Sequence, residues 1–283
     1  MTRDSEWWGS SMTSGVDRQA AHPGESLSEA VWSDNFAALL AADIGARKGG
    51  TLTWFNHYTV QRSVAADVDV SRFDYVGIDG LLLRRLVAPT APRTSADLVL
   101  PRVLARLRPG SRVALIGGTA ENLRTAAALL EALPSAPQVV YVRNGYGGLA
   151  RPESAARDLR KLNTELVVVG LGAPLQDQYA LQLVDAGLRE ALVATCGGWL
   201  DQLTTPDYYP RFAYRAKLNW AVRLIREPGR LWRRYTFDAA RARRRQVELR
   251  HYLLERGSDP LAAMVAACTS PHVPDTGTAS AVA

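Results

Sequence analysis

Apolar runs of strand length alternate with amphipathic stretches through the middle of this chain. The runs lie at residues 113–116, 139–142, 166–169 and 191–194, and helical periodicity is present at residues 121–133 and 176–188. Short continuous apolar runs are typical of strands buried on both faces, as in parallel sheets. The pattern therefore predicts an α/β fold with a Rossmann-like, mainly parallel sheet flanked by helices.

Changes in composition divide the chain into four parts. We predict a poorly ordered segment at residues 1–35, an α/β domain at 36–205, a basic helical appendage at 206–256 and a disordered tail at 257–283. Within the appendage, helical patterns at residues 212–226 and 230–245 are separated by Pro228, which lacks an amide hydrogen and ends or kinks a helix. We expect the α/β domain to fold without the appendage.

Positive charge is concentrated in the appendage. Residues 211–250 contain 13 Lys and Arg against three Asp and Glu, whereas the whole chain carries a net charge of only +6. Such asymmetry indicates an anionic partner, which could be a phospholipid surface, a pyrophosphate or a nucleic acid. The alternative is that these charges lie on a solvated helix face and bind no partner.

Cysteine content and hydropathy both favour a chain in the cytosol. The two cysteines, Cys196 and Cys268, are too few for a disulfide framework. No apolar run reaches the ~18–20 residues that span a bilayer. Asp4 and Glu6 stand where a signal peptide would have basic residues followed by an apolar stretch.

Glycines follow two of the predicted strands. Gly117 and Gly118 end one strand just before a helix. This arrangement lets a phosphate approach backbone amides at the start of the helix. The alternative is that the two glycines form an ordinary tight turn. The segment from Gly170 to Asp177 reads Gly-Leu-Gly-Ala-Pro-Leu-Gln-Asp, and its Gln176 is either a ligand contact or a helix-start residue.

Several acidic and imidazole groups are candidates for chemistry. Asp79 follows a short strand, where it could accept a proton from an attacking hydroxyl, but Asp-Gly is equally a turn signal. Asp67 and Asp69 have the spacing of a metal-binding DxD pair, although we favour a polar surface stretch. His57 either lines a cavity or packs in the core.

Seven elements, in order, resemble the WecG/TagA/CpsF glycosyltransferase family from about residue 51 to residue 235. They are Asn56, Asp79-Gly80, Gly117-Gly118, Asn144-Gly145-Tyr146, the segment from Gly170 to Asp177, the segment from Gly197 to Asp201, and a terminal pattern that contains Trp220, Arg223, Glu227-Pro228, Arg230 and Arg233-Arg234-Tyr235. Five positions depart from the family pattern around the expected donor and acceptor pockets, so the resemblance leaves the sugar open. They are Trp54, Gly147, Leu175, Tyr208 and Asn219.

The resemblance implies an inverting transfer of an N-acetylhexosamine-like sugar or a hexose from a UDP-sugar, with no cofactor and no essential metal. Asp79 matches the proposed base, and Asn56 and Gln176 match residues of the donor pocket. We assign the other matched positions to donor binding as well: Gly117, Gly118, Tyr146, Gly172, Pro174 and Asp201.

The basic appendage is expected to serve both the reaction and the membrane. Arg223 matches the family's terminal pattern, and Arg215 and Arg226 are added on charge as contacts of the diphosphate. We expect arginines after Pro228, which include Arg233 and Arg234, to face anionic lipid. The implied partners are a UDP-sugar, a polyprenyl-diphosphate-linked sugar acceptor and an anionic membrane surface, with no nucleic acid. A homo-oligomer is left open, and the expected location is the cytoplasmic face of the cell membrane.

Two other function classes compete with a glycosyltransferase. A nucleotide-dependent oxidoreductase would use the same kind of sheet, but the chain lacks the dinucleotide fingerprint GxGxxG. A non-catalytic module that binds membrane or nucleic acid would explain the basic appendage while leaving Asp79 and the Gly170 to Asp177 segment without a role.

Overall fold

The computed structural model describes residues 26–204 and 228–271, and its centre is one six-stranded sheet. The strands are β1 (Gly50–Phe55), β2 (Tyr75–Ile78), β3 (Arg112–Gly117), β4 (Gln138–Arg143), β5 (Leu166–Gly170) and β6 (Leu192–Thr195). Their order is β2-β1-β6-β5-β3-β4, and every pairing is parallel. The predicted Rossmann-like α/β sheet is confirmed.

The apolar runs of the sequence form the inner strands. In β5, the four residues from Leu166 to Val169 are fully buried, because helices cover both faces of the sheet. The outer strand β4 is largely exposed, and only its Tyr141 is buried. The inner strands therefore supply the centre of the hydrophobic core.

Helices connect the strands and cover the sheet. Those before the gap in the described residues are α1 (Leu27–Gly45), α2 (Thr59–Ala65), α3 (Leu81–Val87), α4 (Ala96–Arg106), α5 (Ala120–Glu131), α6 (Pro152–Lys161), α7 (Leu175–Asp185) and α8 (Trp199–Leu203), with a 3-10 turn at Val70–Arg72. Those after it are α9 (Pro228–Arg233), a π turn at Arg234–Asp238, α10 (Ala239–Arg244), α11 (Gln246–Arg250), a second π turn at His251–Arg256 and α12 (Ser258–Thr269).

The N-terminal boundary differs from the prediction. We expected residues 1–35 to be poorly ordered, but α1 begins at Leu27. Ser26 caps this helix, since its hydroxyl accepts a hydrogen bond from the Glu29 amide while the Glu29 carboxylate accepts one from the Ser26 amide. Phe36 and Leu40 then pack in the core, so part of the supposed N-terminal segment belongs to the domain.

The predicted tail is wrong for residues 258–269. These residues form α12, which packs against α1 and β2 and buries Leu261, Met264 and Cys268. The Asn35 side-chain amide also donates to the Cys268 carbonyl at 2.9 Å. The helix was missed because its apolar side chains find their partners far earlier in the chain, on α1 and β2.

The segment after Pro228 is likewise part of the core. Ala242, Leu249, Tyr252 and Leu253 are buried in the same hydrophobic cluster as the sheet. Removing everything after residue 205 would expose this cluster, which argues against the expectation that the α/β domain folds without the appendage. The predicted helix at 212–226 lies outside the described residues.

Within residues 26–204 and 228–271, no helix combines the length and the apolar character that crossing a bilayer requires.

Candidate active site

A cavity of about 350 Å³ opens at the carboxyl edge of the sheet. Each of the six strands leads into a residue that lines it: Asn56 after β1, Asp79 after β2, Gly118 after β3, Tyr146 after β4, Gly172 after β5 and Gly197 after β6. The connections from β3 and β5 leave in opposite directions, because β4 and β6 lie on opposite sides of this pair. Such a reversal creates a crevice in which α/β proteins bind ligands.

Asn56 is held by the start of α2. Its side-chain oxygen accepts hydrogen bonds from the backbone amides of Tyr58 at 3.0 Å and Thr59 at 3.1 Å. The Thr59 hydroxyl oxygen accepts one from the Asn56 amide at 2.8 Å. Because the oxygen is engaged with the helix start, the side-chain NH₂ of Asn56 is the group that can donate to a ligand.

Gln176 is held in a similar way by the exit of β6. It is buried in the first turn of α7, and its side-chain oxygen accepts a hydrogen bond from the Gly197 amide at 3.1 Å. Only the oxygen can accept from an N–H, so this contact fixes the orientation of the side-chain amide. Gln176 therefore joins the exits of β5 and β6, and its NH₂ is the remaining group for a ligand.

Asp79 lies beside Asn56 at the ends of the two outermost strands on one side of the sheet. The Asp79 amide donates to the Phe55 carbonyl at 2.8 Å, which fixes the residue next to β1. A Cβ built on Gly80 would lie 3.4 Å from the Asn56 Cβ. The structure thus brings the predicted base and a predicted donor-pocket residue to the same part of the cavity wall.

Arg93 links Asp79 to the first helix, and sequence reasoning missed this link. Arg93 Nη2 lies 4.0 Å from Asp79 Oδ1, and Arg93 Nη1 lies 3.6 Å from Glu29 Oε1 on α1. The guanidinium stands between two carboxylates and restrains Asp79 at the cavity edge. The only sequence signal is the residue's position shortly after the Asp79-Gly80 pair.

Comparison with known proteins decides the family. The model of the glycosyl transferase WecG/TagA/CpsF family matches residues 30–251 of the chain. The chain belongs to this family. It is therefore a glycosyltransferase, as its motifs predicted.

One relative in this comparison has a described activity. The chain is 25% identical over 187 residues to the UDP-Gal:alpha-D-GlcNAc-diphosphoundecaprenol beta-1,4-galactosyltransferase of Shigella boydii. The alignment covers 63% of this chain and 78% of the relative.

The remaining predicted site residues of this glycosyltransferase fall into two groups. Gly118, Tyr146, Gly172 and Asp201 line the cavity. Gly117 and Pro174 are not among the lining residues, although donor binding was expected of both. Gly117 instead lets two strand exits meet, since a Cβ there would lie 2.2 Å from the Gly170 carbonyl oxygen, and Pro174 precedes α7. Gly117 therefore acts on the cavity wall indirectly, through the close approach of β3 to β5.

Asp201 and Tyr146 differ in how firmly they are held. Asp201 Oδ1 accepts a hydrogen bond from the Asn122 side chain at 2.8 Å, which ties α8 to α5. The Tyr146 side chain is 80% exposed at the cavity mouth. Asp201 therefore belongs to a fixed wall, whereas Tyr146 stands at the entrance.

Arg234 lines the cavity, so the expectation that it faces lipid is wrong. Its guanidinium lies 4.9 Å from the centre of the Tyr58 ring and 6.0 Å from that of Tyr235. The prediction had assumed a regular helix over residues 230–245, but Arg234 begins a π turn that changes the direction of its side chain. The other predicted cations, Arg215, Arg223 and Arg226, lie outside the described residues.

His57 holds this turn and does not line the cavity. It is buried, and its Nε2 lies 3.1 Å from the Arg234 carbonyl oxygen. Burial, the largest cause, lowers the pKa of His57, so the ring is neutral near pH 7 and donates to that carbonyl through Nε2. The core alternative for His57 is therefore the correct one.

Trp54 and Asp97 line the cavity, although neither was a predicted site residue. Trp54 is nine-tenths buried, and its indole N–H has no hydrogen-bond partner among the described residues. Its departure from the family pattern was the sequence signal. Asp97 lies in the first turn of α4, which only the fold brings to this edge of the sheet.

The Asp67 and Asp69 pair lies away from the cavity. Asp69 accepts hydrogen bonds from the amide and hydroxyl of Ser71 and caps the 3-10 turn, while the Asp67 side chain is 93% exposed. In the part of the chain that the structure describes, no three His, Cys, Asp or Glu side chains form a group that could hold a metal.

Proposed function

We propose that this protein is an inverting glycosyltransferase that moves a hexose or an N-acetylhexosamine from a UDP-sugar to a sugar linked to undecaprenyl diphosphate. The observation that carries the proposal is the cavity in which Asp79, Asn56 and Gln176 meet in a chain of this family. The Shigella relative transfers galactose to a GlcNAc-diphosphoundecaprenol acceptor, which supports the choice of donor and acceptor class.

Asp79 acts as the general base in this proposal. The acceptor hydroxyl oxygen forms a bond to the anomeric carbon as the bond from that carbon to the diphosphate oxygen breaks. UDP leaves with the bonding electron pair, and the Asp79 carboxylate takes the hydroxyl proton. Attack from the face opposite UDP inverts the configuration of the anomeric carbon.

The charge that develops on the departing diphosphate is met by guanidinium groups. Arg234 lines the cavity and is restrained by two tyrosine rings, so it can meet phosphate oxygens without large rearrangement. We assign the same role to Arg215, Arg223 and Arg226, which precede Pro228 in sequence. With these cations the reaction requires no metal and no cofactor.

The protein works at the cytoplasmic face of the membrane, where a polyprenyl-diphosphate acceptor presents its sugar. Trp232 and Phe237 are exposed on either side of Arg234 in sequence, and exposed aromatic and basic residues favour the headgroup region of an anionic bilayer. This placement lets the acceptor sugar reach the cavity while its lipid stays in the membrane. The reaction belongs to the synthesis of a cell-surface polysaccharide or of a teichoic-acid-type polymer.

An assay of UDP release tests the proposal. The full chain is mixed with UDP-galactose, UDP-GlcNAc or UDP-ManNAc, each with and without a synthetic GlcNAc-diphospholipid, once in the presence of EDTA and once in the presence of Mg²⁺. At least one donor should give acceptor-dependent UDP release and a disaccharide lipid with inverted anomeric configuration. A retained configuration would overturn inversion, loss of turnover in EDTA would overturn metal independence, and no release with any donor would overturn the UDP-sugar proposal.

A further inference from the structure

A buried carboxylate lies behind the cavity without a cationic partner among the described residues. Asp177 is fully buried at the start of α7, where Thr53 of β1 donates to its Oδ1 at 2.7 Å and Ser63 of α2 donates to its Oδ2 at 2.8 Å. The two hydroxyls come from separate elements that meet on the same face of the sheet. Burying such a group is costly, so its retention calls for a physical reason.

The hydrogen bonds continue from Asp177 to the cavity. The Thr53 hydroxyl lies 2.9 Å from the Thr195 hydroxyl, and Thr195 is the last residue of β6. Thr195 lines the cavity, whereas Thr53 and Asp177 do not. The chain of contacts therefore runs from Asp177 through Thr53 to the wall that faces the ligand.

Counting hydrogens fixes the direction of each bond. An ionised carboxylate only accepts, so the single hydrogen of the Thr53 hydroxyl goes to Asp177. The Thr53 oxygen must then accept from Thr195, which uses the only hydrogen of the Thr195 hydroxyl. Burial raises the pKa of Asp177 to about 6, so this direction holds at pH 8. The Thr195 oxygen is left with acceptor capacity alone.

We propose that Thr195 is a further ligand-binding residue of this cavity and that Thr53, held by Asp177, keeps its hydroxyl oriented as a hydrogen-bond acceptor. The ligand group that it binds is a hydrogen-bond donor, which is a hydroxyl of the transferred sugar or a donor on the uridine diphosphate. Gln176 is a hydrogen-bond donor on the same wall, because its oxygen accepts from the Gly197 amide and its NH₂ remains for the ligand. This assignment rests on the proposed UDP-sugar function.

Calorimetric titration of UDP and of UDP-galactose at pH 8 tests the assignment. Thr195→Val keeps the shape of the side chain and removes the hydroxyl, and it should raise the Kd of UDP-galactose about tenfold. Thr195→Ser should restore near wild-type affinity. If Thr195→Val lowers the affinity for UDP equally, the group that donates a hydrogen bond to Thr195 belongs to the nucleotide. If the Kd of UDP is unchanged, that group belongs to the sugar.

Thr53→Val tests the positioning step. Thr53 does not line the cavity, so we expect its effect on affinity to pass through Thr195, and the double variant with Thr195→Val should bind no more weakly than Thr195→Val alone. Thr164→Val is the matched control, because Thr164 is equally buried but stands before the amino end of β5. It should bind both nucleotides as the wild type does.

The outcomes separate this assignment from the proposed function. If the wild type binds neither nucleotide, the UDP-sugar function fails and this assignment fails with it. If the wild type binds and Thr195→Val binds equally well, only the role of Thr195 is overturned. If Thr195→Val and Thr53→Val weaken binding additively, Thr53 has a general structural role and the positioning step is wrong. Urea unfolding of each variant shows whether it is folded.

Discussion

The indole of Trp54 occupies the space that a side chain at residue 77 would need. Trp54 and Gly77 are direct partners in the pairing of β1 with β2, and a Cβ on Gly77 would lie 2.2 Å from Trp54 Cδ1. Because Trp54 also lines the cavity, the absence of a side chain at residue 77 determines where this part of the cavity wall stands.

Gly77→Ala should displace Trp54 and damage donor binding. Overpacking of this kind costs about 1–3 kcal/mol of stability, and a shifted indole would narrow or open the cavity. We expect a lower free energy of urea unfolding and a higher Kd for the UDP-sugar. Gly147→Ala is the control, since a Cβ there meets no atom within 4 Å. Wild-type behaviour of Gly77→Ala would mean that Trp54 is not held in this position.

Asp79→Asn should remove the base while preserving the shape of the cavity. We expect kcat to fall by roughly 10²–10⁴, with the Kd of the donor nearly unchanged. The control variant is Asp67→Asn, which makes the same change of charge on a side chain outside the cavity. Turnover of Asp79→Asn close to that of Asp67→Asn would exclude Asp79 as the base.

Arg234→Gln should slow transfer because a charge-assisted hydrogen bond to the diphosphate is lost. Such a bond contributes about 1.5–3 kcal/mol, so kcat/KM for a short-chain soluble acceptor should fall roughly 10- to 100-fold. Arg233→Gln changes the neighbouring, exposed arginine. It should spare this activity and weaken sedimentation with anionic liposomes. The reverse pattern would assign Arg234 to lipid and Arg233 to the reaction.

Asp177→Asn should change how stability depends on pH. Burial raises the pKa of Asp177 from 3.8 to about 6, so the folded protein keeps this proton at pH values where the unfolded chain has lost it. The resulting stabilisation is fully present below about pH 4 and is lost as the pH rises through about 6, a change of about 3 kcal/mol.

Asparagine stays neutral throughout this range, so the difference between variant and wild type isolates the carboxyl group. The free energy of urea unfolding of Asp177→Asn minus that of the wild type should therefore rise by about 3 kcal/mol between pH 4 and pH 8. Tyr252, whose pKa is raised by burial and by the charge of Asp177, stays protonated in this range. Parallel curves for the two proteins would refute the proposed titration of Asp177.

Truncation after Gly257 should destabilise the whole domain. It removes Leu261, Met264 and Cys268 from the core, and a buried apolar side chain contributes about 1.5–3 kcal/mol. We expect an insoluble or largely unfolded product, measured by urea unfolding and circular dichroism. Truncation after Pro271 keeps α12 and should be as stable as the full chain. A stable product ending at Gly257 would show that α12 is dispensable.

The sequence predicted those parts of the fold whose signals are local. The apolar runs at residues 113–116 and 166–169 fall within β3 and β5, because a strand buried on both faces must be apolar throughout. The resemblance to the family assigned Asn56, Asp79 and Gln176 to one site, and the fold brings them to one cavity because parallel strands end at the same edge of the sheet.

The missed features depend on distant partners or on irregular backbone. The role of Arg93 depends on its ion pairs with Glu29 and Asp79, and α12 packs against α1 and β2. The π turn at Arg234–Asp238 interrupts the regular helix predicted at residues 230–245. None of these relationships leaves a periodic signal in the sequence.

Gln202 and Arg234 both line the cavity, although residues 205–227 separate them in the sequence. In evolutionary terms, the parts of the chain on either side of that stretch cannot be inherited separately, because each supplies part of the same site. Premature stop codons anywhere before α12 should therefore be removed by selection.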